Sequence, residues 1–214
     1  MYPAGNLFIP VEHGQLEAIL KEPRQDSPIG VALVLHPHPL GGGTMHNKVV
    51  FRAAAALNDT GLTSLRINFR GVGQSTGEHD QGRGEQDDAR AGLDFLSQNY
   101  PEHRMLLCGF SFGARVGLQV GITDSRVSYL IGIGTPVSQY DFSFLNSCRK
   151  PLLLVHGEQD EFGEVARVRK LVEDLERNAP VRLVVIPGAD HFFKGHLDEL
   201  KRAITAWTVG QFAA

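Results

Sequence analysis

The chain has 214 residues, a net charge of −3, 42% hydrophobic and 21% charged residues, against a norm of roughly 150 residues per domain. That is ordinary globular composition in a length that fills one domain, which excludes disorder, collagen and coiled coil. The near-balanced charge argues against nucleic acid or an anionic membrane as main partner, because both demand a basic footprint.

The opening MYPAGNLFIP lacks the basic start and apolar run of a secretory signal. No stretch approaches the ~20 apolar residues of a membrane span. Cys108 and Cys148 are too few for a disulfide framework and read as unlinked small hydrophobes in a reducing cytoplasm. Glycine is over-represented, at 24 residues or about 11% where roughly 7% is average. The excess gathers directly after apolar runs.

Leu7–Val11 and Gln15–Lys21 flank His13-Gly14 and predict an antiparallel hairpin at a sheet edge. Val31–Leu35, Ser64–Asn68, Met105–Cys108, Val127–Ile133, Leu152–His156 and Val181–Ile186 are near-continuous apolar runs, the pattern of parallel strands buried on both faces. Helical spacing fills the gaps. Asn47–Asp59 ends before Gly61 as a C-cap, and the stripe Ala89, Leu93, Leu96, Tyr100 stops at Pro101. Val165, Val168, Val172 and Leu175 form a third stripe, and Phe193, Leu197, Leu200, Ile204 and Trp207 a fourth. The alternation predicts an α/β fold with a mostly parallel central sheet and helices on both faces. No repeat, charge block or linker divides the chain, so residues 1–214 read as a single domain.

Gly109-Phe110-Ser111-Phe112-Gly113 follows the Met105–Cys108 strand and opens a helical stretch, the strand–turn–helix setting in which a G-x-S-x-G serine is a nucleophile. The glycines fit a sharp turn whose backbone is pressed against neighbouring elements. A serine nucleophile needs a base, and His191 lies in a loop just past the C-terminal end of Val181–Ile186, where open α/β sheets gather their ligands. His196 reads as a solvated helix residue, and His13, His79 and His103 as surface residues. Asp160, four residues past the Leu152–His156 strand, is the candidate carboxylate to orient the base; Glu158 and Glu161 are its neighbours. A metal site at His36-x-His38 with His46 is disfavoured, since prolines stiffen the loop and no carboxylate or Cys cluster accompanies it. Gly71-x-Gly73 is no dinucleotide fingerprint and Gly41–Gly43 lacks the Lys of a phosphate loop, so no cofactor is expected.

The order Ser111, Asp160, His191, together with His36-Pro37-His38-Pro39-Leu40-Gly41-Gly42-Gly43 and Asn68-Phe69-Arg70-Gly71-Val72-Gly73-Gln74-Ser75, resembles the α/β-hydrolase superfamily. More narrowly it resembles small lidless bacterial hydrolases of the esterase and dienelactone-hydrolase-like branch. The resemblance implies an α/β-hydrolase fold with an antiparallel N-terminal edge hairpin. It also implies a backbone oxyanion hole, one donor being the N–H of Phe112 and the other coming from His38, Leu40 or Gly41, since Pro37 and Pro39 have none. The loop Asn68–Ser75 would buttress the site. Gly134–Lys150 is too short for a lid domain, which implies an open site for small or short-chain esters, with Phe110, Phe112, Phe142, Phe144 and Phe192 as candidate walls. Thioester, C–C bond or dienelactone-type hydrolysis would use the same residues, although dienelactone hydrolases typically carry Cys at the position of Ser111. A non-catalytic binding protein of this fold commonly lacks one of the three. The expected partner is a small ester; a homodimer is left open.

Overall fold

The computed structural model describes residues 7–24 and 27–212, so the expectations placed on Met1–Asn6, and on 1–214 as one domain, reach outside the described residues. Within them the chain runs β1 (Leu7–Val11), β2 (Gly14–Lys21), β3 (Gly30–Leu35), α1 (Lys48–Asp59), β4 (Leu62–Ile67), α2 (Gly84–Asn99) and β5 (Met105–Phe110). It continues through α3 (Phe112–Thr123), β6 (Val127–Ile133), β7 (Leu152–Gly157), α4 (Val165–Leu175), β8 (Val181–Ile186) and α5 (Leu197–Phe212). The strands form one sheet in the order β1-β2-β4-β3-β5-β6-β7-β8. β1 pairs with β2 and β2 with β4 antiparallel, and the remaining pairs are parallel.

Side chains of consecutive strand residues point to opposite faces, and β3 shows the result. Leu33 and Leu35 pack with Ala89, Leu93 and Val116 from α2 and α3. Ala32 and Val34 pack with Val50 and Leu57 of α1 in the same apolar cluster as Leu200 and Ile204 of α5. The central strands are therefore apolar without alternation, because helices cover both faces. Cys108 and Cys148 are buried and unlinked, and burial pushes the Cys108 thiol pKa up.

Three local expectations are corrected. The run placed at Ser64–Asn68 forms its strand over Leu62–Ile67, and Asn68 leaves the ladder for loop contacts. Its Oδ1 accepts the N–H of Met45 at 2.8 Å and its Nδ2 donates to Glu17 Oε2 at 2.8 Å. The last helix begins at Leu197 instead of Phe193. Phe193 has φ +53° and is fully buried, a left-handed conformation that no helix accommodates. β8 is an edge strand and is only half-buried, with a neighbour on one side alone. Between β6 and β7 the chain makes one short 3-10 turn, Ser143–Ser147, and no inserted domain.

Candidate active site

The strand order reverses direction between β3 and β5, and in such sheets the crevice beyond the strands' C-terminal ends is where ligands bind. Leu35 is in register with Gly109 across that pair, so the loop after β3 and the turn after β5 emerge side by side. Ser111 occupies the turn with φ 56° and ψ −117°, a strained backbone for a residue with a side chain. Its N–H donates to Ile133 O at 2.9 Å, tying the turn to β6. The flanking glycines are sterically required. A Cβ on Gly109 would sit 2.1 Å from Gly113 O, and one on Gly113 would sit 2.5 Å from His36 O.

His191 and Asp160 reach this serine from β8 and β7. His191 Nε2 is 2.9 Å from Ser111 Oγ, and His191 Nδ1 is 2.8 Å from Asp160 Oδ2. Both partners are nearly buried, His191 at 2% and Asp160 at 5% exposure. The other carboxylate oxygen, Asp160 Oδ1, accepts the N–H groups of Phe162 at 2.8 Å and Gly163 at 3.2 Å. The carboxylate is thereby fixed on both oxygens, which leaves the imidazole one orientation. Gly157 lets the two loops meet, since a Cβ there would lie 2.5 Å from Ala189 O. His156 closes the arrangement from below, with Nε2 donating to Gly163 O at 2.5 Å; burial holds its pKa below the usual histidine range.

The loop after β3 is organised by its two histidines. His36 is fully buried, with Nδ1–H donating to Pro37 O at 2.6 Å and Nε2 accepting the N–H of Phe69 at 3.0 Å. His38 caps the 3-10 turn Pro39–Gly41, its Nδ1 accepting the N–H of Leu40 at 3.2 Å, while its carbonyl accepts the N–H of Gly41 at 3.0 Å. Among the described residues no group accepts a hydrogen bond from the backbone N–H of His38 or of Phe112. The ring of His38 lies 4.9 Å from that of Phe112 and 4.8 Å from that of His79.

The three histidines read as surface residues, His13, His103 and His79, are all half-buried: His13 Nε2 lies 3.1 Å from Oδ1 of the buried Asp88, His103 Nε2 donates to Pro28 O at 3.1 Å, and His79 departs furthest from that reading. It is not a surface residue: its Nδ1 lies 2.7 Å from Oε1 of the fully buried Glu85, which also accepts the N–H groups of Asp80 and Gly82. Burial first, and then repulsion from His79, hold the His38 pKa below the usual range. His196, read as a solvated helix residue, lies instead in the turn before α5, half-buried and outside the pocket that Ser111 lines.

Beside Ser111 and His191 is a pocket of about 230 Å³ walled by Phe112, Tyr140, Phe162 and Phe192. Two of the five phenylalanines proposed as walls, Phe112 and Phe192, line it. Phe110 lies beneath the His191 ring, at 5.0 Å between centroids. Phe142 and Phe144 belong to the core on the α3 side, and Phe162, 4.5 Å from the His191 ring, and Tyr140 stand in their place.

Residues 31–204 match the family model described as alpha/beta hydrolase domain. An uncharacterised protein of Rickettsia prowazekii is 42% identical over 186 residues, which cover 84% of this chain and 78% of that protein. Among solved structures, an alpha-beta serine hydrolase homologue from Coxiella burnetii is 37% identical with a TM-score of 0.89, covering 96% of this chain and 98% of its own. A serine hydrolase without lid from Xanthomonas campestris is 35% identical with a TM-score of 0.88, covering 99% of this chain and 97% of its own.

Proposed function

The chain belongs to the alpha/beta hydrolase domain family and is an enzyme of the hydrolase class, and we propose that it is a serine esterase acting on small or short-chain carboxylic esters through Ser111, His191 and Asp160. The observation that carries this reading is the continuous line Ser111 Oγ, His191 Nε2, His191 Nδ1, Asp160 Oδ2, with links of 2.9 and 2.8 Å. Both links lie within the reach that proton transfer requires.

In the proposed reaction, Ser111 Oγ attacks the ester carbonyl carbon and its proton passes to His191 Nε2. Asp160 stabilises the resulting imidazolium while staying ionised itself. The carbonyl electron pair moves onto oxygen, where the N–H groups of Phe112 and His38 would receive it. His38 is favoured over Leu40 and Gly41 because the loop already uses the N–H groups of those two. Collapse of this intermediate expels the alcohol, which takes the proton from His191. Water then repeats the sequence on the acyl-serine and releases the acid. Two unlinked buried cysteines favour a cytoplasmic setting for this chemistry.

A pocket of about 230 Å³ beside the serine suits a small acyl group. Across p-nitrophenyl esters from acetate to palmitate, kcat/KM is expected to be highest for the shortest acyl chains. A maximum at long chains would overturn the open, small-substrate reading.

The role given to His38 makes a separate expectation. His38→Ala removes Nδ1, the acceptor for the Leu40 N–H, and loosens the turn; His38→Asn supplies Oδ1 as a replacement acceptor at a position where Asn is a favoured cap. The alanine variant should lose about tenfold in kcat, less than the roughly 10²- to 10³-fold cost of removing an oxyanion donor outright because the N–H is only misplaced, and the asparagine variant should recover most of it. Equal losses in the two would refute the capping role.

A further inference from the structure

The cleft does not end at Phe192. A second groove of about 610 Å³ adjoins the serine pocket and shares Gly42, Asn47 and Phe192 with it. It runs between the loop after β3 and the loop that carries His191. Resting on the ester-hydrolysis reading above, we propose that this groove holds the alcohol part of the substrate and selects alcohols that carry an anionic group, a carboxylate or a phosphate.

Position assigns the groove to the alcohol. The departing oxygen must take its proton from His191 Nε2, so the alcohol lies on the histidine's side of the reacting carbon. The groove opens there: one wall is Asp190, Phe192 and Lys194, the residues around His191 itself. The relative sizes agree, since the smaller pocket beside Ser111 suits a short acyl group and the larger groove suits the remainder of the molecule.

Charge assigns the anionic group. His46, Lys48 and Lys194 line the groove against the single carboxylate of Asp190, which already accepts the Lys194 backbone N–H at 2.9 Å. Of the other lysines, Lys170 pairs with Asp174, Lys201 with Asp59, and Lys150 donates to two backbone carbonyls, while Lys21, at the end of β2, has no ion pair among the described residues. Lys48 and Lys194 form no ion pair among the described residues. In a protein of net charge −3, two uncompensated ammonium groups in the groove that adjoins the serine pocket create a local field of opposite sign, which concentrates anions there.

The test uses the full chain and four small acetates or half-esters. Hydrolysis of 3-acetoxybenzoate and of 3-acetoxyphenyl phosphate is compared with that of neutral 3-acetoxytoluene, in the wild type and in Lys48→Gln/Lys194→Gln. Taking the anionic-to-neutral ratio of kcat/KM within each protein removes the intrinsic reactivity of each ester. The double substitution should lower that ratio about fivefold to tenfold through KM, the size expected for losing two exposed charge contacts, and added salt should lower it in the wild type alone. A fall in one arm only identifies carboxylate or phosphate as the group selected. An unchanged ratio, with the neutral ester still hydrolysed, overturns the anionic groove and leaves the esterase reading standing. A lysine effect on phenyl hydrogen succinate, whose charge is on the acyl side, would overturn the assignment to the alcohol. No hydrolysis of any ester would overturn the esterase reading itself.

Discussion

Ser111→Ala is expected to lower kcat for p-nitrophenyl acetate by about 10⁴- to 10⁶-fold, as loss of a serine nucleophile does where the rest of the machinery remains. The same variant should no longer be labelled by a fluorophosphonate probe, while its thermal unfolding stays close to wild type. The reason for the last point is local. Among the described residues the Oγ bonds to His191 alone, and the turn is held by the Ser111 N–H to Ile133 O and by the glycines, none of which the substitution touches. His191→Ala should produce a loss of similar size, because the proposed base is, among the described residues, the one side chain hydrogen-bonded to Ser111 Oγ, at 2.9 Å. His196→Ala should leave turnover nearly intact, since that side chain lies in the turn ahead of α5. Labelling that survives in Ser111→Ala, or a larger loss in His196→Ala than in His191→Ala, would refute the assignment. The two histidines sit five residues apart in one loop, so the pair also controls for general disturbance of that segment.

Much of this site could be read from the chain because each of its three members is announced locally. Ser111 sits between glycines at a strand end, and Asp160 and His191 each follow an apolar run that can only be a strand. A parallel sheet brings the ends of all such strands to one edge, so local signals translate directly into proximity. What escaped is what depends on contacts between loops. Nothing in the sequence around His79 marks a strand or an apolar face, so it read as surface. In the fold it is pinned between His38 and the buried Glu85, which a count of helical charges would place in solvent. Phe162 and Tyr140 escaped for the same reason, their loops being ordered by Asp160 and by packing instead of by any periodicity. Phe193 was misread in the opposite sense. Its spacing matches the α5 stripe, yet it is buried by the loop's own left-handed turn and not by a helix face.

The burial of His36 carries the second large expectation, and it concerns stability. The neutral ring uses both nitrogens, Nδ1–H toward Pro37 O and Nε2 toward the N–H of Phe69. A proton on Nε2 would remove the acceptor and place a charge in an apolar surrounding. Burial accordingly pushes the pKa down to about 4 from the ordinary 6.5. The sign follows directly. Below pH 6.5 the unfolded chain gains a proton that the folded chain refuses, so the balance moves toward unfolding as pH falls. The loss starts near pH 6.5 and is complete once pH passes below the folded value near 4. A separation of this size amounts to about 3 kcal/mol. Urea unfolding of wild type and of His36→Gln at pH 7.5 and pH 4.5 isolates it. Glutamine keeps an acceptor for the Phe69 N–H and does not titrate, so the variant should be less stable at pH 7.5 and lose less on acidification. The gap between the proteins should close by about 2 kcal/mol or more at the lower pH. His38 and His156, whose pKa values are also held down chiefly by burial, act with the same sign in both proteins and cancel in the comparison. Parallel losses would show that His36 takes its proton inside the fold.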